Sequence, residues 1–176
     1  MSKILNESKN ICSELLILTY GSFVNQLIKD ISNMEEVNKE LYNAGYNIGV
    51  RLIEDFLSKN PVTNCLDFQD TADIVSKNAF KSYLGIIPTV TDWNLNKTEF
   101  SIVFEMNPLA ESVELLPSME KLWYSNVMAG IIKGALEMVL LDVETFFVKD
   151  QLRGDSYNEI RVKLLKKNTS TLPISE

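Results

Sequence analysis

Apolar positions recur at helical spacing through three successive stretches of the chain, and the spacing then shortens to that of strands. Leu16, Tyr20, Phe23, Leu27 and Ile31 fall three or four residues apart, which predicts an amphipathic helix opening near Ser13 and Glu14. Ser32 and Glu35 stand at the spacing of a capping box, in which each side chain satisfies an end amide of the following helix. The second helix then carries Val37, Leu41, Ala44, Ile48, Leu52 and Phe56 on its inner face and ends at Asn60-Pro61. Asp67 suits the cap of a third helix, with Asp70 favoured in its first turn by the helix dipole. Phe68, Ala72, Val75, Ala79, Phe80 and Tyr83 line its inner side, and Gly85 closes it.

Beyond Pro88 the period changes to two. Phe100, Ile102 and Phe104 alternate with Ser101, Val103 and Glu105, as on a strand with one apolar face. Further strands are expected across Ile87–Trp93, across Ser112–Leu116, and through Ile160, Val162 and Leu164 near the end. Between them the pattern predicts one long helix from about Lys121 to Leu152, apolar around most of its circumference and covered on more than one side. Helices followed by strands, with no alternation of the two, predict an α+β fold: a helical layer on a small antiparallel sheet. The expected organisation is a flexible segment over residues 1–12, one domain over 13–167 and a tail over 168–176.

Glycines sharpen this picture. Gly45 and Gly49 lie one turn apart in the second helix, and Gly130 and Gly134 repeat the spacing in the long one. Glycine is costly inside a helix unless another backbone packs close. These positions therefore mark close contacts, either within the fold or against a partner subunit.

Composition removes most catalytic chemistry. The 176 residues include no histidine, so Ser-His-Asp and Cys-His machinery is absent and most zinc and iron sites lose their usual ligand. There is no phosphate-binding GxxxxGK[ST] and no GxGxxG. A net charge of −7 with no basic block argues against a nucleic-acid surface. No run of eighteen apolar residues occurs, so any membrane contact is expected to be peripheral. Two cysteines, Cys12 and Cys65, build no disulfide framework.

Cys65 admits two readings from the residues alone. It is a small buried hydrophobe at a helix start, or a thiol that carries a group into the core. Ala72 and Ala79, with Val75 between them, occupy the buried side of the third helix where larger side chains would fill volume. Small residues there mean close helix packing or a slot. A 16-carbon chain in such a slot would gain about 0.8 kcal/mol per methylene, on the order of 12 kcal/mol gross.

Four strings carry a resemblance: NIGVRLIEDFL (Asn47–Leu57), CLDFQDTADIVSKNAFKSYLGI (Cys65–Ile86), EFSIVFEMNPLAESVEL (Glu99–Leu115) and YSNVMAGIIKGALEMV (Tyr124–Val139). They resemble core subunits of the transport protein particle, the TRAPP vesicle-tethering complex, in its bet-three family. The resemblance runs from about Ser13 to Lys166. It implies a non-catalytic scaffold that pairs with other core subunits as a homo- or heterodimer through its helices. It also implies a complex peripheral to ER and Golgi membranes that acts as a guanine-nucleotide exchange factor for a Rab/Ypt-type GTPase.

The same resemblance implies that Cys65 is S-acylated, with palmitate in an internal channel to which Ala79 contributes, in agreement with the small side chains at Ala72 and Ala79 and with Val75 between them. The chain departs from the family pattern at Asn64, just before the cysteine, and at Asn78. Arg161, Lys163, Lys166 and Lys167 are candidates for contact with an acidic GTPase or membrane surface, or else a solvated strand face. The alternative reading of the whole chain is a standalone module that binds fatty acid or another apolar ligand.

Overall fold

A computed structural model of the chain describes residues 2–60 and 67–167, with side chains from Ser13 onward. Helix α1 spans Ser2–Asp30 and helix α2 spans Met34–Lys59. The first helix begins well before Ser13, because residues 2–12 contain no glycine or proline to interrupt it. The cap of α2 is Asn33 and not Ser32. Its backbone is extended and its Oδ1 accepts from the Glu35 amide at 2.9 Å, so the capping box fails by one residue.

Asp67 caps α3, Phe68–Ile74, by accepting from the Gln69 and Asp70 amides at 2.8 and 2.9 Å. The third helix is not continuous. A π-helical turn at Val75–Ala79 separates α3 from α4, Phe80–Leu84, and the Phe80 amide reaches back five residues to the Val75 carbonyl. The wide turn faces Ser76 inward, where its hydroxyl donates to the Pro88 carbonyl at 2.9 Å. Gly85 then ends α4 with φ of 73°, a conformation that suits glycine.

The sheet has four antiparallel strands in the order β1-β2-β4-β3: β1 Thr89–Thr91, β2 Glu99–Phe104, β3 Leu141–Lys149 and β4 Asn158–Lys167. Phe100, Ile102, Val143, Ile160 and Val162 are fully buried and join the helices in one core.

Two sequence expectations fail here. Ser112–Leu116 is not a strand, because chain turns follow one another from Asn107 to Val113. The long helix over Lys121–Leu152 is two elements. Helix α5, Asn126–Met138, stops at a turn where Leu140 takes φ of 67°, and β3 runs back beside it. The segment from Val143 to Val148 buries Val143, Thr145 and Phe147 and exposes Glu144, Phe146 and Val148, a strand period. Its apolar richness also satisfies a helical pattern, and only pairing with β4 chooses between them.

The glycines decide how α2 meets α5. A Cβ on Gly45 would overlap the Val127 carbonyl and stand 3.0 Å from the Ile131 nitrogen. One on Gly49 would stand 2.9 Å from the Ala135 nitrogen, while Gly130 and Gly134 are blocked in return by Tyr42 and Tyr46 backbone. All four are therefore contacts within the fold. The two helices run parallel with their backbones touching, pinned at this crossing.

Candidate functional site

Beside that crossing, α2, α5 and the α3–α4 segment enclose an apolar cavity of about 860 Å³. Helix α5 supplies a wall from Val127 through Ile131, Ile132 and Ala135 to Leu136, and Val139 continues it just beyond the helix end. Opposite it stand Leu52 and Phe56 of α2, then Val75, Ala79 and Phe80 across the π-turn. The π-turn has a local consequence. By inserting an extra residue per turn it turns Ser76 into the core and sets Val75 and Ala79 on the cavity wall.

The cavity is open to solvent along part of its wall. Leu57, Val139 and Leu140 are on its wall and exposed, so the rim lies where α2 and α5 end. Asp67 and Lys167 also border the cavity, and Lys167 pairs with Leu141 in the sheet register. A further stretch of exposed rim, Leu16 and Ile48, runs between α1 and α2. At the start of α5, by contrast, Tyr20, Leu109, Val127 and Met128 are all buried. The wall itself holds few polar atoms. Tyr83 donates its hydroxyl to Asp55 at 2.8 Å, and its own ionisation is pushed up to about 12 by burial first and by that carboxylate second.

Buried hydrogen bonds hold the wall near the start of α5. Tyr20 donates to the Tyr124 carbonyl, its ring edge-on to the Tyr124 ring at 5.3 Å. Burial drives the Tyr20 phenol far above its usual range, so the hydroxyl is a permanent donor. Asn107 donates to the Ser125 hydroxyl at 2.8 Å and accepts from the Leu109 amide at 3.2 Å. Both Asn107 and Ser125 are buried, so this bridge ties the Leu109 turn to the start of α5.

Among the described residues no group of histidine, cysteine, aspartate or glutamate could hold a metal ion, and no helix is long and apolar enough to cross a membrane.

Comparison with known proteins agrees with this architecture. The family model for the transport protein particle (TRAPP) component matches residues 16–163, most of the chain. The chain belongs to the TRAPP component family. It is 48% identical over 173 residues to the trafficking protein particle complex subunit BET3 of Saccharomyces cerevisiae, covering 97% of this chain and 90% of that one. It is 45% identical over 172 residues to trafficking protein particle complex subunit 3 of Dictyostelium discoideum, covering 97% and 92%. A crystal structure of the Naegleria fowleri subunit 3, covalently bound to palmitic acid, superposes with a TM-score of 0.87 at 46% identity, covering 90% of this chain and 98% of that one.

Within this TRAPP component the expected site residues separate. Val75 and Ala79 border the cavity, whereas Ala72 is fully buried in the core and off the cavity wall. Cys65, Cys12 and the 168–176 tail lie outside the described side chains. The basic residues do not act alike. Arg161 is committed to carboxylates, Glu99 at 3.1 Å and the buried Glu159 at 2.9 Å. Lys163 is 3.8 Å from Glu144, Lys166 is exposed, and Lys167 stands on the cavity rim.

Sequence reasoning missed the α5 wall and the buried residues that line the cavity near the start of α5. The α5 positions were visible only as general hydrophobicity, and Tyr20 of α1 and the Leu109 turn join the cavity from distant parts of the chain. The repeated glycine pair was the one local signal that pointed to α5.

Proposed function

We propose that this chain is a non-catalytic scaffold subunit of a transport particle that tethers vesicles between the ER and the Golgi. In this reading it pairs with other core subunits, sits on the cytoplasmic side at those membranes, and contributes to a composite surface that promotes nucleotide exchange on a Rab/Ypt-type GTPase. Its cavity holds a palmitoyl-length chain attached to Cys65. The acyl chain is then part of the folded interior and does not anchor the protein to a membrane. Lys163 and Lys166 are the basic residues assigned to an acidic partner or membrane surface, because Arg161 is already paired.

The observation that carries the acyl reading is that Leu57 and Asp67 both stand on the cavity wall. Cys65 lies outside the described residues and stands two positions before Asp67 in the sequence. The palmitate of the Naegleria relative, whose chain is similar over nearly its whole length, supports the same assignment.

Intact mass measured under denaturing conditions tests it, with and without hydroxylamine. An added mass that hydroxylamine removes supports the thioester. A ligand that leaves on denaturation alone supports instead the module that binds fatty acid without a bond. Purification of the tagged chain at native abundance tests the scaffold role. Stoichiometric companion subunits are expected, and recovery only as a free monomer overturns it.

A further inference from the structure

The loop between β1 and β2 presents an apolar side chain that the fold itself does not use. Leu95 stands at the turn of this loop, residues 92–98, and is fully exposed. The backbone beneath it is nevertheless tightly built. Asn94 Oδ1 accepts from the Thr98 and Glu99 amides at 2.8 and 3.2 Å, and its Nδ2 donates to the Thr98 hydroxyl at 2.9 Å. The Lys97 amide closes the turn on the Asn94 carbonyl at 3.0 Å, and Trp93 anchors the base against Phe100, ring centres 4.8 Å apart. A leucine held out on a fixed loop has little conformational entropy left to lose when something covers it.

Its surroundings indicate what covers it. The Leu164 amide of β4 donates to the Thr98 carbonyl at 2.8 Å, so the loop stands beside the end of β4. That end carries Lys163, Leu165, Lys166 and Lys167, all exposed, and the loop adds Lys97. Lys97 bonds only to the neutral Gln69, at 2.9 Å, and among the described residues Lys166 and Lys167 make no ion pair. Lys163 is 3.8 Å from a half-exposed Glu144. The other carboxylates of these strands are engaged elsewhere, Glu99 with Arg161 and Asp142 with Lys133. Asp92 is the one carboxylate within the loop, and it accepts from the Thr91 hydroxyl at 3.0 Å. In a chain of net charge −7 this end of the sheet is therefore locally basic. We propose that it docks on an anionic lipid surface, with Leu95 and Leu165 entering the boundary between headgroups and acyl chains and the four lysines meeting the headgroups. This rests on the reading of Lys163 and Lys166 as basic contacts and deepens it, adding Leu95, Lys97 and Leu165 and committing the surface to lipid.

Flotation of the full purified chain with vesicles tests the assignment. One set is two parts phosphatidylcholine to one part phosphatidylserine, and the other is phosphatidylcholine alone. Wild type is expected to float with the anionic vesicles, to be released as salt is raised, and to stay behind with the neutral ones. Leu95→Ser is expected to weaken binding about tenfold and Lys97→Gln about fivefold. Leu116→Ser, at an exposed leucine of the turns before α5, is expected to leave it unchanged. Near-ultraviolet circular dichroism checks that each variant is folded, and if Leu95→Ser is not, Lys97→Gln decides by the same criterion. Wild type that binds neither vesicle, or both equally, overturns the proposal, as does a folded Leu95→Ser that binds like wild type. Loss of stoichiometric companion subunits from Leu95→Ser, with no vesicle binding by wild type, also overturns it and puts a protein partner on this surface. Recovery of companions with wild type decides the scaffold role separately, so that role stands when flotation alone fails.

Discussion

Gly130 of α5 and Tyr42 of α2 touch through their backbones: a Cβ added to the glycine would overlap the Tyr42 carbonyl and lie 2.8 Å from the Tyr46 nitrogen. Neither obstacle is a side chain that could swing away. Gly130→Ala must therefore separate the two helices, and overpacking of this kind costs about 1–3 kcal/mol or more. Urea denaturation should show that loss. Gly21→Ala is the control, because its Cβ would meet only the Tyr124 hydroxyl, at 3.4 Å. There the gain in helix propensity, up to about 1 kcal/mol, should leave stability unchanged or raised.

Ala79 stands on the cavity wall, where a larger side chain would project into the space an acyl chain needs. Ala79→Phe is expected to abolish the hydroxylamine-labile mass while the protein still folds, because the aromatic ring fills volume that is otherwise apolar and empty of side chains. Intact mass and circular dichroism on the same sample check both halves. A variant that retains the full acyl mass contradicts the placement of the chain beside Ala79.

Asp150 is buried with one carboxylate oxygen, Oδ1, accepting from the Leu152 amide at 2.9 Å and the other without a partner. Burial raises its ionisation above the usual carboxylate range, and the negative Asp155 adds to this while Arg153 opposes it. A raised folded value means the native state holds its proton at pH values where the unfolded chain has lost it. Stability from this group is therefore complete below the unfolded value of about 4 and declines as pH rises through the folded value. Asp150→Asn removes the charge and keeps the cap. The variant should match wild type in strong acid and exceed it increasingly toward neutral pH, as read from melting temperatures across that range.

Glu159 is 3% exposed and is held by Arg161 at 2.9 Å and by the Ser101 hydroxyl at 2.6 Å. Removing the guanidinium leaves a buried carboxylate short of its main partner. Arg161→Met should cost about 3 kcal/mol, and the double variant Arg161→Met/Glu159→Met should recover part of that loss. Chemical denaturation of the two variants beside wild type measures the coupling. Equal stability of the single variant and wild type would show that Ser101 and Lys149, whose Nζ lies 3.8 Å from the Glu159 carboxylate, suffice.

Much of this protein was legible along the chain. The apolar stripes placed α2 and β2, Asp67 and Gly85 bounded the third helical segment, and the paired glycines marked close backbone contacts, within the fold or against a partner, that the structure places between α2 and α5. These are local matters, settled by side-chain period, capping chemistry and the absence of a Cβ. The division between α5 and β3 was not, because Leu141–Lys149 is apolar enough to satisfy either period until β4 supplies hydrogen-bond partners. The cap at Asn33 displaced Ser32 by a single residue, a distinction made by backbone angles and not by residue type. The cavity lay furthest from view. Tyr20, Leu109 and Met128 are separated by long stretches of chain and meet only where α1 and the Asn107–Leu109 turn pack against the start of α5, so the volume between them belongs to the packing and to no segment alone.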